Sequence, residues 1–137
     1  MAELTNTYNI TIEDLTAYCD FNTLYQLSAD NYCSVGLTTL TDAQIELVDI
    51  LMQDVINQIE NMFRNNYELP FASPLDKSLK GIICRLTVVA LFKRRHAAPD
   101  YVIKYEIDEK EKLQKILIGE WEIFNLTRRE KISSTRR

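Results

Sequence analysis

Glycine and proline are scarce in this sequence. There are three of each in 137 residues, about 4% of the chain where average usage is roughly 12%. A chain so poor in backbone punctuation lacks the turn signals, spaced about 8–12 residues apart, that a sandwich or barrel requires. Long helices are expected instead. Gly36, Gly81 and Gly119 stand far apart, which excludes the clustered glycines of a phosphate-cradling loop or a dinucleotide fingerprint. Histidine occurs once, at His96, so no two-histidine metal site can form, and any nucleophile–histidine pair would have to use that residue. The cysteines are Cys19, Cys33 and Cys84, an odd count without a C-x-x-C pair. Neither a disulfide framework nor a zinc site is suggested, and buried thiols in a reducing compartment are expected. No cofactor and no metal are expected. These shortages point to an interaction protein, not an enzyme.

Long apolar runs are missing too. The longest, Ile82 to Phe92, spans 11 residues and contains Arg85, too short for a membrane span. The opening Met1-Ala2-Glu3-Leu4 has neither the basic nor the apolar region of a secretory signal. With 46% apolar and 26% charged residues the composition is globular. A soluble intracellular chain built around one domain is expected.

Cations are absent from nearly half of the sequence. Residues 1–63 hold ten acids and no lysine or arginine, whereas residues 64–137 hold sixteen cations and ten acids, for a net charge of −4 overall. The last eleven residues carry Arg128, Arg129, Lys131, Arg136 and Arg137 against Glu130 alone. Such a division either solvates the surface or steers the acidic face of one copy towards the basic face of another.

The elements that are present fit an all-α bundle of about four helices, residues 1–120, followed by a short extended arm and basic tail, residues 121–137. Thr11 can cap a first helix with Glu13 and Asp14 at its positive end, and a short second helix fits Phe21 to Ala29. Thr41-Asp42-Ala43-Gln44 is a capping box opening a helix to about Asn66. Ile45, Val48, Met52, Val55, Ile59 and Met62 form its seam at helical period. Leu47, Leu51, Ile56 and Phe63 widen that seam to about half the circumference, more than the ~100° stripe of a surface helix. These four are therefore candidates for packing against a second copy, with Asp42, Glu46, Asp49, Gln53 and Glu60 on the remaining polar face. Pro70 breaks the helix. Ser73 with Pro74 can restart one, apolar nearly all round from Ile82 and hence central. Asp100 is placed to cap the last helix, and Gly119 to close it in a left-handed conformation.

Lys93-Arg94-Arg95-His96 suits a helix C-terminus, where cations are favoured, with phosphate binding as the alternative. Tyr67 suits either the core at the helix break or an interface. Trp121-Glu122-Ile123-Phe124-Asn125-Leu126 alternates apolar and polar residues as an extended arm does. Trp121, Ile123 and Phe124, with Arg128, Arg129, Lys131, Arg136 and Arg137, are the candidate partner-docking residues.

The order of these signals carries a resemblance. Thr11-Ile12-Glu13-Asp14-Leu15 is followed by the long helix ending in Arg64-Asn65-Asn66-Tyr67-Glu68-Leu69-Pro70-Phe71. Then come Pro74-Leu75, Leu79-Lys80, a greasy helix closing on Lys93-Arg94-Arg95, a Tyr105-bearing helix and Gly119. Over residues 10 to 120 this resembles the Mu-type head–tail adaptor, or head-completion, proteins of tailed bacteriophages. Two asparagines stand between Arg64 and Tyr67 where the family usually has arginine next to tyrosine, and the basic tail is not part of the pattern. The resemblance implies a virion protein of the neck, assembled in the host cytoplasm as a homo-oligomeric, dodecameric ring under the portal protein. It would dock a downstream neck or tail protein while genomic DNA passes through the channel without sequence-specific binding. An acidic lumen would let phosphates slide past. The alternative is a small cytoplasmic nucleic-acid-binding regulator whose tail grips phosphates.

Overall fold

The computed structural model of the protein describes residues 6–29, 40–71, 75–94 and 99–120. Five helices follow in order: α1 (Ile12–Thr16), α2 (Phe21–Ser28), α3 (Asp42–Phe63), α4 (Lys77–Arg94) and α5 (Asp100–Leu117). There is no strand among the described residues, so the fold is an all-α bundle. No helix among them is long and apolar enough to cross a membrane.

Side-chain caps fix where the helices begin. Thr11 Oγ1 accepts the Asp14 N–H at 3.2 Å and the Asp14 carboxylate accepts the Thr11 N–H at 2.9 Å, a reciprocal box that starts α1. Thr41 and Gln44 repeat the arrangement at α3, at 3.2 and 2.8 Å. Gln44 does more than cap. Its Nε2 also donates to the Tyr25 carbonyl and to Ser28 Oγ, joining the start of α3 to the end of α2.

Two expected helix starts are corrected. Ser73 and Pro74 lie outside the described residues, and α4 begins at Lys77. Asp76 opens it: its carbonyl accepts the Lys80 N–H and its carboxylate reaches the Ser78 N–H. Asp100 is the first residue of α5 and not its cap. Pro99 holds the cap position in an extended conformation without a side-chain bond, leaving the Asp100 charge to act on the helix dipole. Gly119 closes α5 as expected, with φ of 89° and its N–H on the Ile116 carbonyl.

The reason for the architecture lies in α4. Ten of its residues are buried, from Leu79 to Leu91, on too many sides for one neighbour to cover. It therefore packs against each of the other four helices, with α3 and α5 as its main partners. These two meet each other only slightly. Thr87, buried in the middle of α4, returns its hydroxyl to the Ile83 carbonyl at 2.8 Å and so leaves no unmet donor. An aromatic cluster closes the α3–α4 junction, where Phe63 lies 5.1 Å from Tyr67 and 5.6 Å from Phe71 between ring centroids. Tyr67 is a core residue whose hydroxyl donates to the Ile116 carbonyl at 2.8 Å, tying the junction to the last turn of α5.

The broad apolar seam of α3 has a different explanation from the one its periodicity suggests. Ile56 and Phe63 are fully buried within the protomer, so neither is available to a second copy. The chain's own N-terminal segment supplies part of the missing cover. Asn6 folds that segment on itself, accepting the Tyr8 and Ile10 N–H groups and donating to the Ile10 carbonyl. Thr7 then bonds Gln53, Tyr8 donates to Glu60, and Tyr8 stacks on Phe71. Leu47 and Leu51 are only half-buried.

An Ile56→Ala substitution should therefore cost about 2–5 kcal/mol of unfolding free energy. The loss, measured by urea denaturation, should be the same at low and high protein concentration. A residue whose burial required a second chain would show a concentration-dependent loss.

Candidate functional site

Three surface features remain once the core is accounted for. The first is on α3, where Ile50 is 66% exposed and lies one helical turn from the half-buried Leu47 and beside Leu51. Its charged neighbours on the helix are all acids: Asp42, Glu46, Asp49 and Asp54. No lysine or arginine occurs anywhere on α1, α2 or α3.

The second is on α5. Ile103 and Ile107 are exposed one turn apart, and the exposed Ile118, the C-cap residue, continues the same side just past the end of the helix. Lys104 and Lys110 flank the first two, as do Asp100, Glu106 and Glu111 at spacings of three and four residues. Lys104 forms no ion pair with the described residues, while Lys110 bonds Glu106 at 3.2 Å. Further round the same helix, Tyr101 stands edge-on to both Phe92 and Tyr105. Single exposed apolar side chains are ordinary; a row of three isoleucines along one helix is the less common observation.

The third is a cleft of about 300 Å³ between the segment after α1, the first half of α4 and the second half of α5, lined by Tyr18, Lys77, Ser78, Gly81, Ile82, Arg85 and Lys112. Beside it lies Glu109, the one buried charge among the described residues. An ionised carboxylate is tolerated there only with strong compensation. Arg85 Nη1 supplies it at 3.0 Å and Lys112 Nζ at 2.8 Å, one on each oxygen. The Arg85 guanidinium also lies 4.7 Å over the Tyr18 ring, a cation–π contact.

The basic end of α4 has a structural task. Lys93 holds Glu106 at 2.6 Å, and Arg94 donates to the Leu27 and Ala29 carbonyls. These are the orphan acceptors at the end of α2, so the cations serve a neighbouring helix and not only their own. Arg95 and His96 lie outside the described residues, as do Cys33 and the docking candidates Trp121, Ile123, Phe124, Arg128, Arg129, Lys131, Arg136 and Arg137. Of the four α3 packing candidates, only Leu47 and Leu51 reach the surface, grouped with Ile50.

The cysteines offer little nucleophilic chemistry. Cys19 and Cys84 are buried free thiols, pushed up by that burial to about 11 and about 12 respectively, so neither is a thiolate near neutral pH. No group of histidine, cysteine or acidic residues suited to a metal ion occurs among the described residues. No protein-family model and no curated protein matches this sequence.

The ion pairs make stability depend on acid. Hydrogen bonding from Lys93, followed by that from Lys110, holds the Glu106 carboxyl below the usual 4.5, and the Thr11 N–H at the α1 cap, aided by Lys80, holds Asp14 below 3.8. Both groups bind protons more weakly when folded, so their stabilisation is present above the unfolded values and is lost as pH falls through the folded ones. Between about pH 5 and about pH 3, a Glu106→Gln variant should lose less stability than the parent in parallel urea titrations.

Proposed function

We propose that this chain is a structural adaptor, not an enzyme, whose copies assemble side by side into a ring beneath the portal of a tailed-phage head. In this reading it joins the portal to the next neck or tail component while the genome passes through the middle. One observation carries the reading. Two apolar surfaces sit on separate helices, one set among acids alone around Ile50 on α3 and one among lysines and acids around Ile103 and Ile107 on α5.

Because α4 separates α3 from α5, the two surfaces belong to different parts of the protomer. A contact from the α3 surface of one copy to the α5 surface of the next uses a different patch on each partner. It leaves a free patch of each kind at the ends, and such head-to-tail contacts close into rings or run on as filaments. Lys104 and Lys110 beside the α5 patch offer partners to the acids around Ile50, whereas two α3 patches face to face would set acid against acid. The resemblance in the order of sequence signals supplies the portal as the template. Residues 121–137, with Trp121, Ile123, Phe124 and the five tail cations, are assigned to portal docking.

The pairing has a simple test. Ile50→Asp breaks one patch and Ile107→Asp the other, and both positions are exposed, so each variant should keep its helical circular dichroism. Each alone should form no contact between copies by chemical cross-linking, even where the intact 121–137 arm still docks it on the portal. An equimolar mixture retains one intact patch of each kind and should give 1:1 heterodimers that grow no further. Rings formed by either single variant would overturn the assignment.

A chain lacking residues 121–137 should remain helical and fail to decorate portals; normal decoration would remove the arm from the docking role. The other reading, a nucleic-acid-binding regulator, rests on the tail cations alone and requires sequence-blind affinity that falls steeply with salt. A gel-shift titration across salt should show no such binding.

A further inference from the structure

The cleft beside Glu109 is not used by the adaptor reading, and its lining has a distinct chemistry. Its seven residues include three cations, Lys77, Arg85 and Lys112, and two hydroxyls, Ser78 and Tyr18, but no carboxylate. We propose that this cleft is a binding site for a phosphate group.

Charge is the first argument. Glu109 neutralises one of the three cations, since its two oxygens are shared between Arg85 and Lys112. Of the other carboxylates nearby, Asp14 faces Lys80 at 3.7 Å, and Asp76, which accepts the Ser78 N–H, keeps its charge beside Lys77. Lys77 is exposed and forms no ion pair with the described residues. Lys77, Arg85 and Lys112 against Glu109 and Asp76 leave the cleft with a net positive charge, which the anionic oxygen of a phosphate group would meet.

Geometry is the second. The donors come from separate elements, with Lys77 and Ser78 on the first turn of α4, Arg85 two turns on, Lys112 on α5 and the Tyr18 hydroxyl after α1. A tetrahedral anion presents oxygens in several directions and can meet such a set, whereas a carboxylate presents two in one plane. Arg85 is held in advance by the Glu109 bond on one side and the Tyr18 ring on the other, so little side-chain freedom is lost on binding.

Gly81 is the third. A Cβ built there would lie 3.0 Å from the Tyr18 hydroxyl and 3.4 Å from Arg85 Nη1. Glycine inside a helix costs about 0.8–1 kcal/mol relative to alanine. Here it allows the tyrosine and the guanidinium to lie against the α4 backbone at the floor of the cleft.

The test is a titration of the full-length protein with sodium phosphate, followed by amide chemical shifts against sodium chloride at matched ionic strength. Saturable shifts confined to residues around Tyr18, Lys77–Arg85 and Lys112 are expected. Lys77→Gln removes an exposed charge without touching the core and should weaken binding by about tenfold. Gly81→Ala pushes the Tyr18 hydroxyl and the Arg85 guanidinium outward from the floor of the cleft and should weaken binding while preserving the helix. A second arm adds a short DNA duplex to the phosphate-saturated protein. Displacement at the same resonances assigns the site to a backbone phosphate, and its absence to free phosphate or a small phosphate ester. Shifts no larger than those with chloride, or parent-like titration of both variants, would overturn the proposal.

Discussion

The structure depends on how α4 is buried. A helix apolar on most of its circumference cannot rest on a single partner, because each uncovered side leaves large side chains such as Ile82, Ile83 and Leu91 in water, at about 1.5–3 kcal/mol apiece. Covering it takes α3 on one flank and α5 on the other, with α1 and α2 filling the gaps. Everything at the surface follows from that arrangement. The outer sides of α3 and α5 are left without helical neighbours, and the cleft forms where α1 and α5 approach α4 without meeting over Gly81.

Electrostatics divides along the same lines. The described helices before α4 carry acids only, and α4 carries cations only, so the central helix is also the positive partner of its surroundings. Lys80 meets Asp14, Arg85 meets Glu109, Lys93 meets Glu106, and Arg94 meets the carbonyls that end α2. Most of these pairs are partly exposed and contribute little individually. Glu109 differs, since removing either of its partners would leave a buried carboxylate short of compensation. Its value lies in fixing Arg85 and Lys112 in place.

Local signals were legible in the sequence where one short segment contained both members of an interaction. The Thr41–Gln44 box, the Gly119 cap and the central place of the greasy helix all follow from neighbouring residues or from periodicity, whereas α3 ends at Phe63, short of the expected Asn66 and well before Pro70. The start of α4 was missed because Asp76, three residues beyond Ser73, offers a cap of its own. Ile56 and Phe63 were assigned to a second copy because periodicity reports that a face is apolar without saying what covers it. Here the cover includes residues 6–10, whose polar composition gives no hint that Asn6 would fold them along α3. The cleft was invisible for a related reason: Tyr18, Lys77, Gly81, Arg85 and Lys112 are scattered through the chain, and only the packing of α1 and α5 on α4 gathers them. Ile50 and the exposed isoleucines of α5 were readable as apolar, but their exposure was not.

The thickness of α4 has a geometric meaning beyond burial. In the proposed head-to-tail assembly through α3 and α5, each protomer would act as a wedge, and the angle between its two joining faces would determine how many wedges complete a circle. That angle would depend on the volume of the buried side chains of α4, among them Ile83, Leu86 and Val88. Slimmer or bulkier side chains at these interior positions would tilt one face against the other and alter the curvature of the assembly, though none of them touches a neighbouring copy. The diameter of the central hole would then be encoded in the hydrophobic core of each subunit.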